Sequence, residues 1–320
     1  MAIKTHKLAQ TLYNIKENFN ISDELITQLI NSTENPEIIN NLDRFIKGYK
    51  IEDIYFYLIG CLSKVELVHG LKQEQLPEES KNNYKYQVPD YLCIYKSPED
   101  KLQNLLIDVK SVKDTSLVYS FNKKQLRALY NYSQQLNADM WMAIYWTKLH
   151  VITHIPVAFL INKPNSKLKF EEAYMKDFSS LLGDYSFILA DKNLFVKTTY
   201  KKIENDTSHI QGKYGSIIKE EIAIKKNKYE KIEWLHSAIL DSIFKLEEVD
   251  VQNNNNYTTA YSNAHNNIVM MKLTSLILRV LVMTHGIETI DQRCFNMTQT
   301  YIKGFMEFIK VPISFQIPNI

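Results

Sequence analysis

Cysteine is scarce. Cys61, Cys93 and Cys294 are the three in 320 residues, and none forms a C-x-x-C pair. That spacing argues against a structural zinc site and a disulfide framework, and it fits a reducing compartment. Glycine and proline are sparse too, at eight each. No glycine-rich phosphate loop is present, which argues against a nucleotide-driven motor, and no G-x-S-x-G elbow is present. His150 and His154 stand four apart without an H-E-x-x-H motif, so a catalytic zinc site is not expected. Long apolar runs are missing. The most apolar late stretch, 268–283, carries Lys272 and Arg279, is too short to cross a bilayer, and reads as a buried helix. The first residues, Met1 to Lys4, open no apolar segment of a secretory leader. The expectation is a cytoplasmic protein with no membrane partner. Charge of one sign is not in excess either, with a formal net charge of +2. Such a balance neither advertises nor excludes a nucleic-acid partner, because a local basic groove fits within it.

What the chain does have is the make-up of a soluble globular protein, 45% hydrophobic and 23% charged. Helical spacing of Leu8, Leu12 and Ile15, a capping Ser22 before Asp23 and Glu24, and Asn35-Pro36 predict helices through residues 1–50. The apolar stripe Ile54, Leu58, Cys61, Leu62, Val65, Val68 predicts one amphipathic helix over 51–71. The period then changes. Residues 86–95 and 105–110 read as two strands around the turn 96–100, a hairpin. A helix is predicted over 123–136, a buried strand over 140–146 and another strand over 151–161. Residues 187–189 and 194–196 suggest a short hairpin. From about 213 the pattern reads as helices over 217–228, 232–246, 266–284 and 298–309, with the Asn253–Asn256 run as a loop. This order predicts an α/β fold, a mixed central sheet flanked by helices, with N-terminal and C-terminal helical regions.

One constellation carries chemistry. Asp108 and Lys110 are two apart, so on a strand they leave the same face. A carboxylate and an ammonium on an otherwise apolar strand are costly unless something uses them. Asp90, after Pro89, lies on the neighbouring strand. If the hairpin forms, the two carboxylates converge, repel, and call for a hard divalent cation such as Mg²⁺ or Mn²⁺. Lys110 then sits beside that cation to stabilise developing charge or to position water. No second D-x-K occurs in the chain, and the E-x-K at Glu99-Asp100-Lys101 falls in the polar turn.

Pro89-Asp90, an 18-residue interval, and Asp108-Val109-Lys110 inside an apolar strand resemble the PD-(D/E)xK nuclease superfamily. This includes type II restriction endonucleases and archaeal Holliday-junction resolvases. The resemblance covers roughly residues 50–160. It implies a restriction endonuclease-like core over 51–200, between an N-terminal helical extension at 1–50 and a helical C-terminal region at 201–320. It further implies an acidic residue on the helix before the hairpin. Glu66 fits that place and Glu52 competes for it. In some branches a glutamine on the following helix assists, which points to Gln125, although Leu129 stands where one branch has tyrosine. His69, one turn beyond Glu66, has a counterpart in cap-snatching endonucleases but reads more simply as a structural histidine. The implied activity is Mg²⁺- or Mn²⁺-dependent phosphodiester hydrolysis, on DNA before RNA, with Glu66, Asp90 and Asp108 holding metal and a homodimer as the working form. An RNA-cleaving enzyme with the same site, and a non-catalytic nucleic-acid-binding scaffold, are the alternatives. The pairs Lys123-Lys124, Lys201-Lys202 and Lys225-Lys226 read as solvated surface able to touch phosphates.

Overall fold

The structure is a computed structural model of the chain. It describes residues 36–71, 85–190, 194–202, 211–223, 228–232, 243–244, 246–264, 268–285 and 314–316, plus single positions between 11 and 28 and at 294. It divides into two compact units, Met1–Gly183 and Asp184–Ile320.

The first unit opens, in its continuous part, with helix α1 (Pro36–Gly60). Proline suits a first helical position because its missing N–H would be unpaired there anyway. Upstream, Ser22 Oγ accepts a hydrogen bond from Leu25 N at 3.4 Å, as expected of a cap. The helix does not run to residue 71. It stops at Gly60, and after a turn Val65–Gly70 form strand β1. The stripe containing Val65 and Val68 fitted a helical period, but both are β-branched, and pairing with the next strand decides their conformation. Strand β2 (Tyr91–Lys96) takes β1 on one edge, from Val65↔Tyr95 to Gly70↔Tyr91.

The hairpin forms as expected. β2 pairs antiparallel with β3 (Leu102–Val112), from Tyr91↔Ile107 to Lys96↔Leu102. In the turn Ser97 Oγ accepts from the backbone N–H of Glu99 and Lys101, each at 3.3 Å. A short strand β4 (Val118–Ser120) and helix α2 (Lys123–Gln135) follow, with Asn122 capping the helix through Lys124 N at 2.9 Å. The chain returns as β5 (Asp139–Trp146), parallel to β3, and β6 (Val151–Pro156), antiparallel to β5. The strand expected over 151–161 ends at Pro156, which has no N–H to continue a ladder, and α3 (Val157–Asn162) begins there. β7 (Lys167–Lys169) pairs with β4, then α4 (Phe170–Met175) and a 3₁₀ turn (Ser179–Leu182) complete the unit.

The described strands of the main sheet lie in the order β1-β2-β3-β5-β6, mixed in direction. The fold is therefore α/β, a mixed sheet with helices, consistent with a restriction endonuclease-like core. On one face Leu106, Met142, Ile144 and Trp146 pack with Leu126 and Leu129 of α2. On the other, Tyr55 of α1 lies against Tyr91 and His154, ring centroids 5.9 and 5.7 Å apart. Covering both faces explains the near-continuous apolar run of β3 and β5.

The second unit corrects much of the expected helix. β9 (Phe195–Lys201) lies between β11 (Gly215–Ala223) and β14 (Tyr257–Ala264). β10 (Gln211–Gly212) and β12 (Glu230–Ile232) add to β11, and β13 (Leu246–Asn253) to β14. The helix expected at 217–228 is a strand over 217–223, and of the helix expected at 232–246 the ends Ile232 and Leu246 are strand residues while Ile243 is helical, so the C-terminal region is not mainly helical where described. Ile217, Ile218 and Ile222 satisfy either period, and cross-strand pairing decides. The Asn253–Asn256 loop stands, though it joins two strands, with Asn254 Oδ1 accepting from Asn256 N and Tyr257 N at 3.1 and 2.7 Å. The hairpin expected at 187–196 is absent: β8 (Ser186–Ala190) pairs instead with β15 (Ile268–Lys272) and β16 (Ser314–Gln316). The apolar stretch 268–283 begins as β15 and continues as helix α5 (Leu273–His285), whose Leu276, Leu278, Val280 and Leu281 are buried. At the start of α5, Asp184 accepts from Thr274 N at 2.9 Å and Thr274 Oγ1 at 2.7 Å, and pairs with Lys272 at 3.1 Å. Of the helix predicted from Leu8, Leu12 and Ile15, the described positions Thr11, Leu12 and Ile15 are helical, while the helix predicted over 298–309 lies outside the described residues.

Candidate metal centre

The antiparallel register of β2 and β3 ends at Tyr91↔Ile107, and one further step sets Asp90 opposite Asp108. Side chains of an opposed pair leave the same face. Asp90 is largely buried, and its Oδ2 accepts a hydrogen bond from Val109 N at 2.7 Å, which locks the carboxylate across the strand gap. Asp108 is fully buried in the central strand. Lys110 Nζ pairs with Asp108 Oδ2 and also donates to Val109 O at 3.0 Å, while its side chain remains 32% exposed. Asp108 Oδ1 has no hydrogen-bond partner among the described residues. A buried, unsatisfied carboxylate oxygen is expensive unless a ligand completes it.

The electrostatics follow from this crowding. Burial, with Asp90 adding repulsion, raises the Asp108 carboxyl above the usual carboxylate range, and Lys110 opposes the shift. Burial alone would lower Lys110, but the Asp108 and Asp90 carboxylates outweigh it and hold the ammonium above its ordinary range. A third carboxylate feels the same field. Glu52, on α1, is pushed up to about 9, first by burial and then by Asp90, with smaller contributions from Asp108 and Asp53 against the relief given by Lys110. Tyr49 and Tyr91 are raised as well, by burial and then by Glu52 and Asp90. Tyr119 of β4 is pushed up to about 12 by burial, with Lys110 opposing and Asp108 adding. Glu52, Asp90, Asp108 and Lys110 therefore form one interacting group of three carboxyls and one ammonium, walled by tyrosines.

The structure brings together Asp90, Asp108 and Lys110 from the sequence-predicted set. It does not bring Glu66 to them. Glu66 stands on β1 and not on a helix, 43% exposed, 2.6 Å from Lys96 Nζ on the neighbouring strand. Gln125 lies in the first turn of α2, half-buried, with no hydrogen bond to the carboxylates among the described residues. His69 is exposed on β1. The helix acid is Glu52, which the sequence shows as a rival to Glu66. Its signal was its place within the helix that Pro36 opens, beside the inward-facing Ile51, Ile54 and Tyr55.

These residues fit a hard divalent cation by donor type and by the orphaned Asp108 oxygen. They do not close on one point: among the described residues, no three His, Cys, Asp or Glu side chains are grouped to enclose an ion. Mg²⁺ does not require such a cage, since it is usually held by one or two carboxylates and completes its octahedron with water and phosphate oxygens.

No family model matches the chain, and no curated protein is similar to it. Among solved structures it is similar to Hjc of Archaeoglobus fulgidus, a Holliday junction resolvase from an archaeal hyperthermophile. The match has 14% identity and a TM-score of 0.28, and spans 36% of this chain and 85% of that one. No helix among the described residues is long and apolar enough to cross a membrane.

Proposed function

We propose that this chain is a divalent-metal-dependent nuclease that hydrolyses phosphodiester bonds in nucleic acid, DNA before RNA. The observation that carries the reading is the opposed pair Asp90 and Asp108, with an unsatisfied buried oxygen, beside Lys110. Asp90 and Asp108 would hold Mg²⁺ or Mn²⁺, with Glu52 as the third carboxylate. Such an ion, when bound, supplies a Lewis acid for the phosphate and acidifies water into a nucleophile. Lys110, partly exposed and charged, places a cation where negative charge gathers on the phosphate. Glu52 holds a proton near neutral pH and releases it as positive charge arrives, so metal binding and proton release are coupled. Glu66 serves on this reading as half of an edge ion pair with Lys96. Gln125 is a candidate auxiliary group, and a homodimer in the cytoplasm is the proposed working form.

The test is direct. Purified protein is incubated with plasmid, linear and branched DNA and with RNA, in Mg²⁺ or Mn²⁺, with EDTA as control. Cleavage that EDTA abolishes is expected, with DNA cut faster. Asp108→Ala should remove nearly all activity, and Lys110→Ala should cost on the order of 10²- to 10³-fold in turnover with metal affinity less affected. No cleavage of any substrate, or an Asp108→Ala protein as active as wild type, would return the chain to the scaffold reading.

A further inference from the structure

The second unit carries a sheet face made of lysine and tyrosine. On β9, Lys197, Thr199 and Lys201 share one face by strand alternation. Across the ladder they meet Tyr261, Thr259 and Tyr257 of β14, directly opposite in that order. The result is a repeating pattern of Lys against Tyr, Thr against Thr, Lys against Tyr. The neighbouring strands extend it with Lys219 opposite Thr199, and with Lys231 opposite Glu221, which itself opposes Lys197.

This face is open to solvent in part, with Glu221 and Ser216 buried within it. Tyr257 is 37% exposed, Lys231 is exposed, and the β9 positions are half-buried. The opposite face carries the packing, with Val196, Ile222 and Ala260 buried. The tyrosines are braced. Tyr229 meets Tyr261 edge-on at 6.2 Å, and Lys197 Nζ stands 5.6 Å from the Tyr229 ring centre. Glu221 pairs with Lys197 at 3.1 Å and Lys219 at 2.8 Å. Lys201 and Lys231 make no ion pair among the described residues. Lys197, Lys201, Lys219 and Lys231 set four positive charges against Glu221 and the edge residues Glu247 and Asp250, leaving an excess of one, concentrated at Lys201 and Lys231.

Glu221 accounts for Lys197 and Lys219, which leaves Lys201 and Lys231 as the charges of this face that no ion pair among the described residues uses, beside the exposed Tyr257. That combination does match one ligand. Single-stranded nucleic acid offers unstacked bases to aromatic rings and phosphates to lysines, whereas a duplex hides its bases in the stack. Tyr257 and Tyr261 are four residues apart, about 13 Å along the strand, room for a strand to lay bases on both.

We infer that the β9–β14 face of the second unit binds single-stranded nucleic acid, by base stacking on Tyr257 and Tyr261 and phosphate contacts to Lys201 and Lys231. This goes beyond the catalytic reading and does not depend on it, because binding is measured without metal. The full-length protein in EDTA is titrated against fluorescein-labelled 20-mers of single-stranded DNA, single-stranded RNA and duplex DNA, followed by anisotropy at several salt concentrations. Single strands should bind more tightly than duplex. Lys201→Glu/Lys231→Glu should weaken single-strand binding at least about ten-fold and flatten the salt slope by roughly 1.4, two phosphate contacts at about 0.7 each. Tyr257→Ala should weaken it about five-fold or more. The milder Lys201→Gln/Lys231→Gln should fall between, which guards against a folding artefact, and each variant's melting curve should match wild type. Binding is read in EDTA, where no metal-dependent cleavage takes place, so a failed nuclease assay leaves this result standing. Unchanged binding in well-folded variants, equal binding of duplex, or no binding of any nucleic acid would overturn the inference, the last leaving the face to a protein partner.

Discussion

Glu52 is a carboxyl group held among other carboxyls, and its protonation should be visible in the stability of the protein. Its folded value, about 9, lies well above its ordinary 4.5. Between those values the folded chain keeps a proton that the unfolded chain has released. Stability therefore falls as pH rises through that window, with a slope approaching about 1.4 kcal/mol per pH unit where Glu52 alone titrates. Glu52→Gln keeps the shape and removes the titration. Metal-free Glu52→Gln should melt above wild type at pH 8–9, the gap closing toward pH 5, and should gain less from added Mn²⁺. Parallel melting curves for the two proteins across that range would show that Glu52 is not held as described. At this scale the sequence was informative where chemistry depends on near neighbours. Asp108 and Lys110 could be read because two-residue spacing on an apolar strand sets their common face. Asp90 could be read because the hairpin turn fixes its register. Glu52 could not be chosen over Glu66, because that choice depends on where a helix ends.

Elements explain how Glu52 is held. Tyr55, one turn further along α1, points its hydroxyl at His154 Nε2 on β6, 2.8 Å away. His154 Nδ1 meets Ser179 Oγ at 2.6 Å, and Ser179 Oγ donates to Asp177 Oδ1 at 2.6 Å. A carboxylate only accepts, so the Ser179 proton is committed to Asp177, and Ser179 accepts from His154 Nδ1–H. In the neutral ring His154 Nε2 is then the acceptor, and Tyr55 donates to it. The polarity of the chain is fixed from Asp177 to α1, and it ties the helix of Glu52 to the sheet through a wholly buried histidine. Tyr55→Phe keeps the ring packing on Tyr91 and removes one buried hydrogen bond to His154, a cost of about 1 kcal/mol. Urea unfolding should show that loss, and the Mn²⁺-induced rise in melting temperature should shrink because α1 no longer holds Glu52 in place. A loss of stability with an unchanged metal response would make the tie structural only. Element types were legible where both length and period were distinctive, as in α2, β3 and β5. They failed at Val65–Gly70, where β-branched residues at helical spacing satisfied both periods until β2 supplied a partner.

At the scale of the whole molecule, each unit has a buried centre of its own, and the second shows where short-range reading stops. Residues 215–223 and 257–264 are joined into one sheet through pairings with residues far away in the chain, such as Ala223↔Phe195 and Asn263↔Phe195, which no local window contains. The ion pair at the head of α5 offers a test of how far each unit's stability is its own. Lys272 is 3% exposed and Asp184 fully buried, so their charges have no water to turn to. Asp184 also receives both Thr274 bonds at the first turn of the helix. Asp184→Ala removes the cap and takes a carboxylate from a buried ammonium together, and breaking a buried pair from one side typically costs about 3–5 kcal/mol. Hydrogen exchange followed by mass spectrometry should then show protection lost across β8, β15 and α5. Peptides from β3 and β5, whose contacts lie in the first unit, should keep theirs, and so should Asp108-dependent cleavage. Equal loss of protection in both sets would mean that the two units unfold as one, and the second unit would have to be counted as part of the scaffold that holds the metal centre.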